Sequence, residues 1–293
     1  MTRKLTSIRR PKLQIRSNAI KAWLFLLPSL IGVAVFVLVP FLDTLRRAFM
    51  DAMATRFVGL ANYFTIFASS SFKLAGLNTL KFIGICIPML LIISLVLSLL
   101  LNELREKNAY FKTIFLFPMA VPIASIVLLW RVMFHQQGIL SQVVLAFGGQ
   151  PKDWMNSSAA FAVLVFSYLW KNVGYDTILW MSGLSGLNPS MYEAAQIDGA
   201  GKIKQFFFIT LPNLMPTFFT ITVISLLNSF KVFREAYLIS GDYPHESIFM
   251  LQHLFNNWFA ALDVEKMCAG ASVLAALIFL VILVLKRSWE KEV

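Results

Sequence analysis

Lys171, Asn172, Tyr175 and Asp176 stand inside an otherwise apolar stretch, Phe161–Met181, in the run Phe166-Ser-Tyr-Leu-Trp-Lys-Asn-Val-Gly-Tyr-Asp-Thr-Ile. At ~100° per residue, Tyr168, Lys171, Asn172, Tyr175 and Asp176 fall on one helical face by the i, i+3, i+4 rule. Charges deep in an apolar segment are costly unless they are paired or wetted, so this face is expected to meet a cavity, a partner or a counter-ion. Aromatic rings beside donors and acceptors suit a sugar, whose C–H faces stack on rings while its hydroxyls need hydrogen bonds. A structural Lys171–Asp176 ion pair, or pairs to another subunit, is the alternative reading. A later apolar segment carries Ser225, Asn228 and Ser229, with Lys231, Arg234 and Glu235 beyond them. Tyr175, Ser225, Asn228 and Ser229 are candidates for the lining of a path, or for polar contacts that hold helices together.

Other chemistry finds little support. His135, His245 and His253 fall in segments read as external loops, and His245-Glu246 lacks the second His of an HExxH site. Cys86 and Cys268 sit in apolar runs with no CxxC or Cys/His cluster, so neither a metal site nor a disulfide framework is expected. Gly199-Ala-Gly-Lys has Gln196 where a phosphate-binding loop needs its first Gly, so ATP hydrolysis is not expected on this chain. No nucleophile–base constellation suggests an enzyme.

The elements that must hold these residues are membrane spans. Of 293 residues, 58% are hydrophobic and 14% charged, with mean hydropathy +0.71, whereas soluble domains run to ~25% charged. Six apolar segments are long enough to cross ~30 Å of hydrocarbon: Trp23–Phe41, Leu80–Leu101, Ile114–Phe134, Phe161–Met181, Leu214–Phe230 and Met267–Leu285. A cleaved secretory signal at the N-terminus is disfavoured, because the first run exceeds an h-region of ~7–15 residues and lacks a small-x-small site. Pro216 makes the start of the fifth span irregular. With no repeat and no low-complexity linker, the chain reads as one all-α domain, 1–293, whose first 21 residues form a tail.

The net charge of +11 is better explained by orientation than by nucleic acid, since the cations sit in short segments beside apolar runs. If the N-terminus is inside, inner segments hold fifteen Lys and Arg: seven in the tail, Arg105, Lys107, Lys112, Lys202, Lys204, Lys286, Arg287 and Lys291. Outer segments hold eight: Arg46, Arg47, Arg56, Lys73, Lys152, Lys231, Arg234 and Lys266. The positive-inside rule then puts both termini, and the loop between spans four and five, in the cytoplasm.

That loop has order of its own. Glu193–Pro212 reads EAAQIDGAGKIKQFFFITLP, preceded by Asn188-Pro189-Ser190, with Ser190 and Glu193 in capping-box spacing. Gly199 and Gly201 should break it into two short helices, Gly199 in a turn of positive φ. Glu193-Ala194-Ala195, Gly199, Ile209, Leu211 and Pro212 match every position of the EAA loop, by which the chain resembles the membrane subunits of binding-protein-dependent ABC importers. The middle, Ala-Gln-Ile-Asp-Gly-Ala-Gly, is similar to the carbohydrate branch. Phe57-Val58-Gly59-Leu60-Ala61-Asn62-Tyr63 and Leu26-Leu27-Pro28-Ser29 resemble the first of the two permeases in maltose-type systems. An ordinary capped helical hairpin is the alternative for the loop, and a surface loop with no pairing role for the FVGL-x-NY segment.

The resemblance implies a coupling loop, 188–212, in which Glu193, Ala194, Ala195, Asp198, Gly199, Ala200 and Pro212 meet an ATPase subunit. It also implies a path along the segment around Tyr175 and the face of span five, which, with the polar face of span four, gives Lys171, Asn172, Tyr175, Asp176, Ser225, Asn228 and Ser229 as expected path residues. The expected partners are a second homologous permease, two ABC ATPases carrying ATP and Mg, an extracytoplasmic solute-binding protein, the lipid of the inner membrane and a sugar. No cofactor is expected on this chain. An importer of the same build for a polyol phosphate, amino acid or oxyanion is the alternative. A secondary transporter using Lys171 and Asp176 as a relay is a more distant one.

Overall fold

The computed structural model describes residues 12–103, 108–241 and 243–290. Residues 1–11 of the expected tail, and Arg105, Lys107 and Lys291 of the charge count, lie outside the described residues. From Lys12 onward the chain is already helical, so the expected tail 1–21 is in part the first helix. Apart from one isolated bridge, the regular structure among the described residues is helical.

The helices follow in order: α1 (Lys12–Val33), α2 (Val39–Arg47), α3 (Ala61–Ala68), α4 (Ser70–Glu103), α5 (Asn108–Ala120), α6 (Ile123–Phe134), α7 (Ile139–Ala146), α8 (Ala160–Ser185), α9 (Pro189–Ile197), α10 (Lys202–Gln205), α11 (Leu211–Asn213), α12 (Met215–Ser229), α13 (Phe233–Ser240), α14 (Leu251–Ala260) and α15 (Val264–Glu290). Among the described residues, five stretches are long and apolar enough to cross a membrane: Trp23–Arg47, Ser70–Asn102, Ile123–Ala146, Met215–Tyr237 and Val264–Arg287. Helix α8, 26 residues long, is not among them. Its length suffices, but Ser167, Lys171, Asn172 and Asp176 lower its hydropathy.

The expected third span, Ile114–Phe134, is not one helix. The chain breaks at Val121-Pro122 between α5 and α6, because proline disfavours helical backbone in the residue before it and cannot donate into the preceding turn. The break lets α5 lie against α8. A Cβ built on Gly174 would strike the Phe115 backbone, so the two helices approach as closely as they do because α8 has no side chain there. His253 corrects another expectation: it is wholly buried on α14, with its ring 4.8 Å from that of Phe233, and is no loop residue.

Helix α4 forms the spine. Phe82, Cys86 and Leu90 pack with Leu164 and Tyr168 of α8, and Ile87 and Leu91 with Trp180 and with Ile221 of α12. Buried indoles find acceptors on neighbouring helices: Trp180 Nε1 donates to Ser94 Oγ at 3.0 Å and Trp130 Nε1 to Ser167 Oγ at 2.7 Å. A buried N–H left without such an acceptor would cost its full desolvation.

The FVGL-x-NY segment is a folded corner. Met50 bridges to Phe57, Gly59 takes φ +62°, and Asn62 Nδ2 ties Ala48 O and Met50 O at 3.0 and 2.8 Å. Bonds from the Arg56 and Thr55 backbone N–H groups hold the Asp51 carboxyl below its ordinary value. Tyr63 then fixes the corner to α15 through a 3.0 Å contact with Ser272 Oγ.

Candidate functional site: a braced loop and a polar cavity

The loop after α8 is built from backbone up. Asn188, not Ser190, caps α9: its Oδ1 accepts from Ser190 N at 3.1 Å and from Ser190 Oγ at 2.9 Å. The expected capping box between Ser190 and Glu193 is therefore not what starts the helix, because Ser190 spends its hydroxyl on Asn188 and Pro189 already fills the first helical position. At the other end Gly199 has φ +75°, its N–H bonds to Gln196 O at 3.0 Å, and Ala200 N reaches Ala195 O at 2.8 Å. This is the paired 5→2 and 6→1 closure that a glycine in left-handed backbone allows.

Two side-chain bonds then fold the second half back onto the first. Gln205 Nε2 donates to Ala200 O at 2.7 Å, and the Tyr192 hydroxyl lies 2.9 Å from Thr210 Oγ1. Between α10 and α11 the backbone opens into a π turn, Phe206–Thr210, closed by Leu211 N to Phe206 O, immediately before Pro212. Helix α9 itself has no buried residue. Glu193, Ala194, Asp198, Gly199 and Pro212 are exposed, Ala195 and Ala200 half-buried. Ile197 and Ile203 stand 87% and 76% exposed. A helix without a buried residue, with Ile197 bare at its end and Ile203 bare across the turn, is a surface made to meet something. At its base, Asn102, Leu184, Tyr192 and Phe206 line a groove of about 450 Å³.

The polar face of α8 is divided between packing and a cavity. Asp176 is 2% exposed and accepts from Ser225 Oγ at 2.9 Å, and Tyr168 OH donates to Ser225 O at 2.8 Å, so both tie α8 to α12. Ser229 is buried and donates to Leu226 O at 2.6 Å. Tyr175 is half-buried. Lys171, Asn172 and Asn228, by contrast, line a cavity of about 180 Å³ together with Tyr168, Lys231 and Glu235. The Lys171–Asp176 pair of the alternative reading does not form, since residues five apart on a helix point ~140° from each other. Lys171 Nζ instead meets Glu235 Oε1 at 2.8 Å, from the start of α13. In the same cavity Lys231 Nζ donates to Asn228 Oδ1 at 2.8 Å.

Residues 92–289 match the family described as the binding-protein-dependent transport system inner membrane component. The chain belongs to this family. The permease resembles the probable ABC transporter permease protein YurN of Bacillus subtilis, at 29% identity over 92% of this chain and 95% of that one. It also resembles the trehalose/maltose transport system permease protein MalF of Thermococcus litoralis, at 28% identity over 81% and 82%. In fold it matches a chain of a bacterial ABC transporter that imports the acidic polysaccharide alginate, with a TM-score of 0.79, 21% identity, and 95% of this chain and 99% of that one covered.

Of the path residues expected from sequence, Lys171, Asn172 and Asn228 line the cavity and Tyr175, Asp176, Ser225 and Ser229 do not, while Glu235, which does, was not among them. The available signal was an acid at the edge of an apolar segment, beside Arg234; its partner, Lys171, lies 64 positions away.

Proposed function

We propose that this permease is half of the translocation path of an ATP-driven importer for a sugar or oligosaccharide, and that the loop 188–212 couples it to the ATPase. The observation that carries the coupling role is α9: capped by Asn188, braced through Tyr192 and Gln205, with no fully buried residue and with Ile197 exposed at its end. Glu193, Ala194, Ala195, Asp198, Gly199, Ala200 and Pro212 form its contact unit. Two ABC ATPases would supply ATP and Mg, a homologous second permease the other half of the path, and an extracytoplasmic protein the solute. This chain itself would hold no cofactor. Helix α8 would be the sixth crossing, tolerated because its charges are paired or face the cavity, and both termini and the coupling loop would face the cytoplasm.

The sugar assignment is supported by the trehalose/maltose relative and by a cavity that offers an amide, a phenol, an ammonium and a carboxylate rather than cations alone. Tyr175, Asp176, Ser225 and Ser229 belong to the same path as groups that shape its wall.

Glu193→Lys tests the reading. A long cation in place of a carboxylate at a cleft contact meets like charge or leaves a gap, so the variant should insert in membranes, lose co-purified ATPase and lose uptake. Uptake of maltose, trehalose, lactose and sn-glycerol 3-phosphate by the parent complex identifies the solute class. Parent-level uptake in the variant would remove the coupling role, and uptake of none of the three sugars would remove the sugar reading.

A further inference from the structure

Glu235 presents a chemical problem that the packing does not solve. It is 5% exposed, yet only Oε1 is engaged, by Lys171; Oε2 is buried and has no hydrogen-bond partner. An acceptor left bare in a protein interior is destabilising, and a buried ion pair contributes little net stability even when complete. A chain that needed only packing here would do as well with an apolar pair. The bare oxygen belongs to a residue that lines the 180 Å³ cavity, among Tyr168, Lys171, Asn172 and Asn228.

We propose that Glu235 and Lys171 form a binding subsite for vicinal hydroxyls of the translocated solute. One hydroxyl donates to Glu235 Oε2, and its neighbour accepts from Lys171 Nζ. The ammonium has three donors, and the bond to Glu235 takes one. Charge-assisted bonds of this kind are shorter and stronger than neutral ones, and Tyr168 and Asn172 stand beside the pair. The alternative cations of the cavity, Lys231 and Arg234, are exposed. A phosphate or carboxylate group brought to the deep pair would set its own lone pairs against Oε2, so the subsite favours a neutral, hydroxylated face. The inference rests on the reading of this chain as a sugar permease and adds to it the residues that read the hydroxyls.

The test uses the whole permease–ATPase complex in nanodiscs, without the external binding protein, and whichever of maltose, trehalose and lactose the parent takes up best. Equilibrium binding of that sugar and of its monodeoxy analogues is measured for the parent, for Glu235→Gln, and for the exchange Lys171→Glu with Glu235→Lys, which keeps an ion pair but moves the carboxylate. We expect Glu235→Gln to weaken binding about tenfold, the scale of a lost bond to a charged group. It should also erase the parent's preference for the parent sugar over one deoxy analogue. The exchange variant should assemble like the parent and still bind weakly. Parent-like binding by the exchange variant would mean that only the ion pair matters and would overturn the proposal. So would unchanged deoxy discrimination in Glu235→Gln, which would leave Oε2 to water, or loss of the complex in both variants, which would assign the pair to packing. If the parent takes up none of the sugars, the sugar reading itself has failed, and this inference with it.

Discussion

Two glycines show how differently a missing side chain acts. Gly199 holds φ +75° in open surroundings, where an added Cβ would meet nothing within 4 Å. Its constraint is conformational only, of ~1–2 kcal/mol for a residue forced into left-handed backbone. The expectation from sequence of a positive φ therefore holds. Gly174 is the reverse: its backbone is ordinary helix, but a Cβ would strike the Phe115 backbone of α5. Gly174→Ala should therefore destabilise the permease by ~1–3 kcal/mol, the usual cost of overpacking, whereas Gly199→Asn, which tolerates left-handed backbone, should cost less. Thermal unfolding of the two purified variants in one detergent checks the order, and a Gly174→Ala protein as stable as its parent would mean that α5 can move away. The turn glycine was legible because Gly after a capped helix carries a local rule; the packing glycine was not, because its partner is 59 positions away. The same distance problem hid Glu235 from Lys171.

At the scale of elements, the described residues contain two π turns, Ala34–Leu38 and Phe206–Thr210, and each ends one residue before a Val-Pro or Leu-Pro pair, at Pro40 and Pro212. The cause is common to both. A proline ring collides with the carbonyl four residues back, and that carbonyl also loses its donor. Widening the turn by one residue moves the carbonyl aside, and the residue before proline bonds to i−5 instead: Val39 N to Ala34 O, Leu211 N to Phe206 O. In the coupling loop the extra residue turns everything N-terminal to it by ~100° relative to α12, and Tyr192 and Thr210 fasten α9 to that setting. Pro212→Ala removes the need for the π turn. The complex should assemble, ATP should still be hydrolysed, and uptake per ATP should fall several-fold, whereas Pro40→Ala, far from the loop, should leave that ratio as in the parent. Equal ratios in both variants would show that the turn has no part in coupling. Hydropathy placed the long helices, Met267–Leu285 lying inside α15 and Leu80–Leu101 inside α4, though α4 begins earlier, at Ser70. It could not show the break at Val121-Pro122, because both sides are apolar and only the backbone chemistry of proline separates them.

For the whole molecule the sign of the loops decides how the chain lies in the bilayer. The window of Trp23–Arg47 has no buried residue, and that stretch together with the outer faces of α4 and α15 offers Phe25, Phe36, Ile92 and Phe279 to lipid or to a second permease. Such a surface fixes depth but not direction, since it is apolar from end to end. Direction must come from the flanks, where fifteen cations against eight favour the N-terminal side as cytoplasmic. The structure adds that some of the eight are neutralised locally: Arg46 and Arg47 share Asp43 at 3.0 and 2.7 Å, and Lys266 meets Asp263 at 2.8 Å. The rule counts Lys and Arg rather than net charge, so these pairs leave the bias at fifteen to eight. Single cysteines at Lys202, on the exposed start of α10, and at Met53, 85% exposed in the corner after α2, probe opposite faces. The background carries Cys86→Ala and Cys268→Ala, both buried in the parent and out of reach of the reagent. In intact spheroplasts an impermeant maleimide should label Met53→Cys within minutes and leave Lys202→Cys unlabelled until the membrane is opened. The reverse pattern would put the coupling loop outside, away from ATP, and would remove the ATPase role of α9 while leaving its geometry untouched.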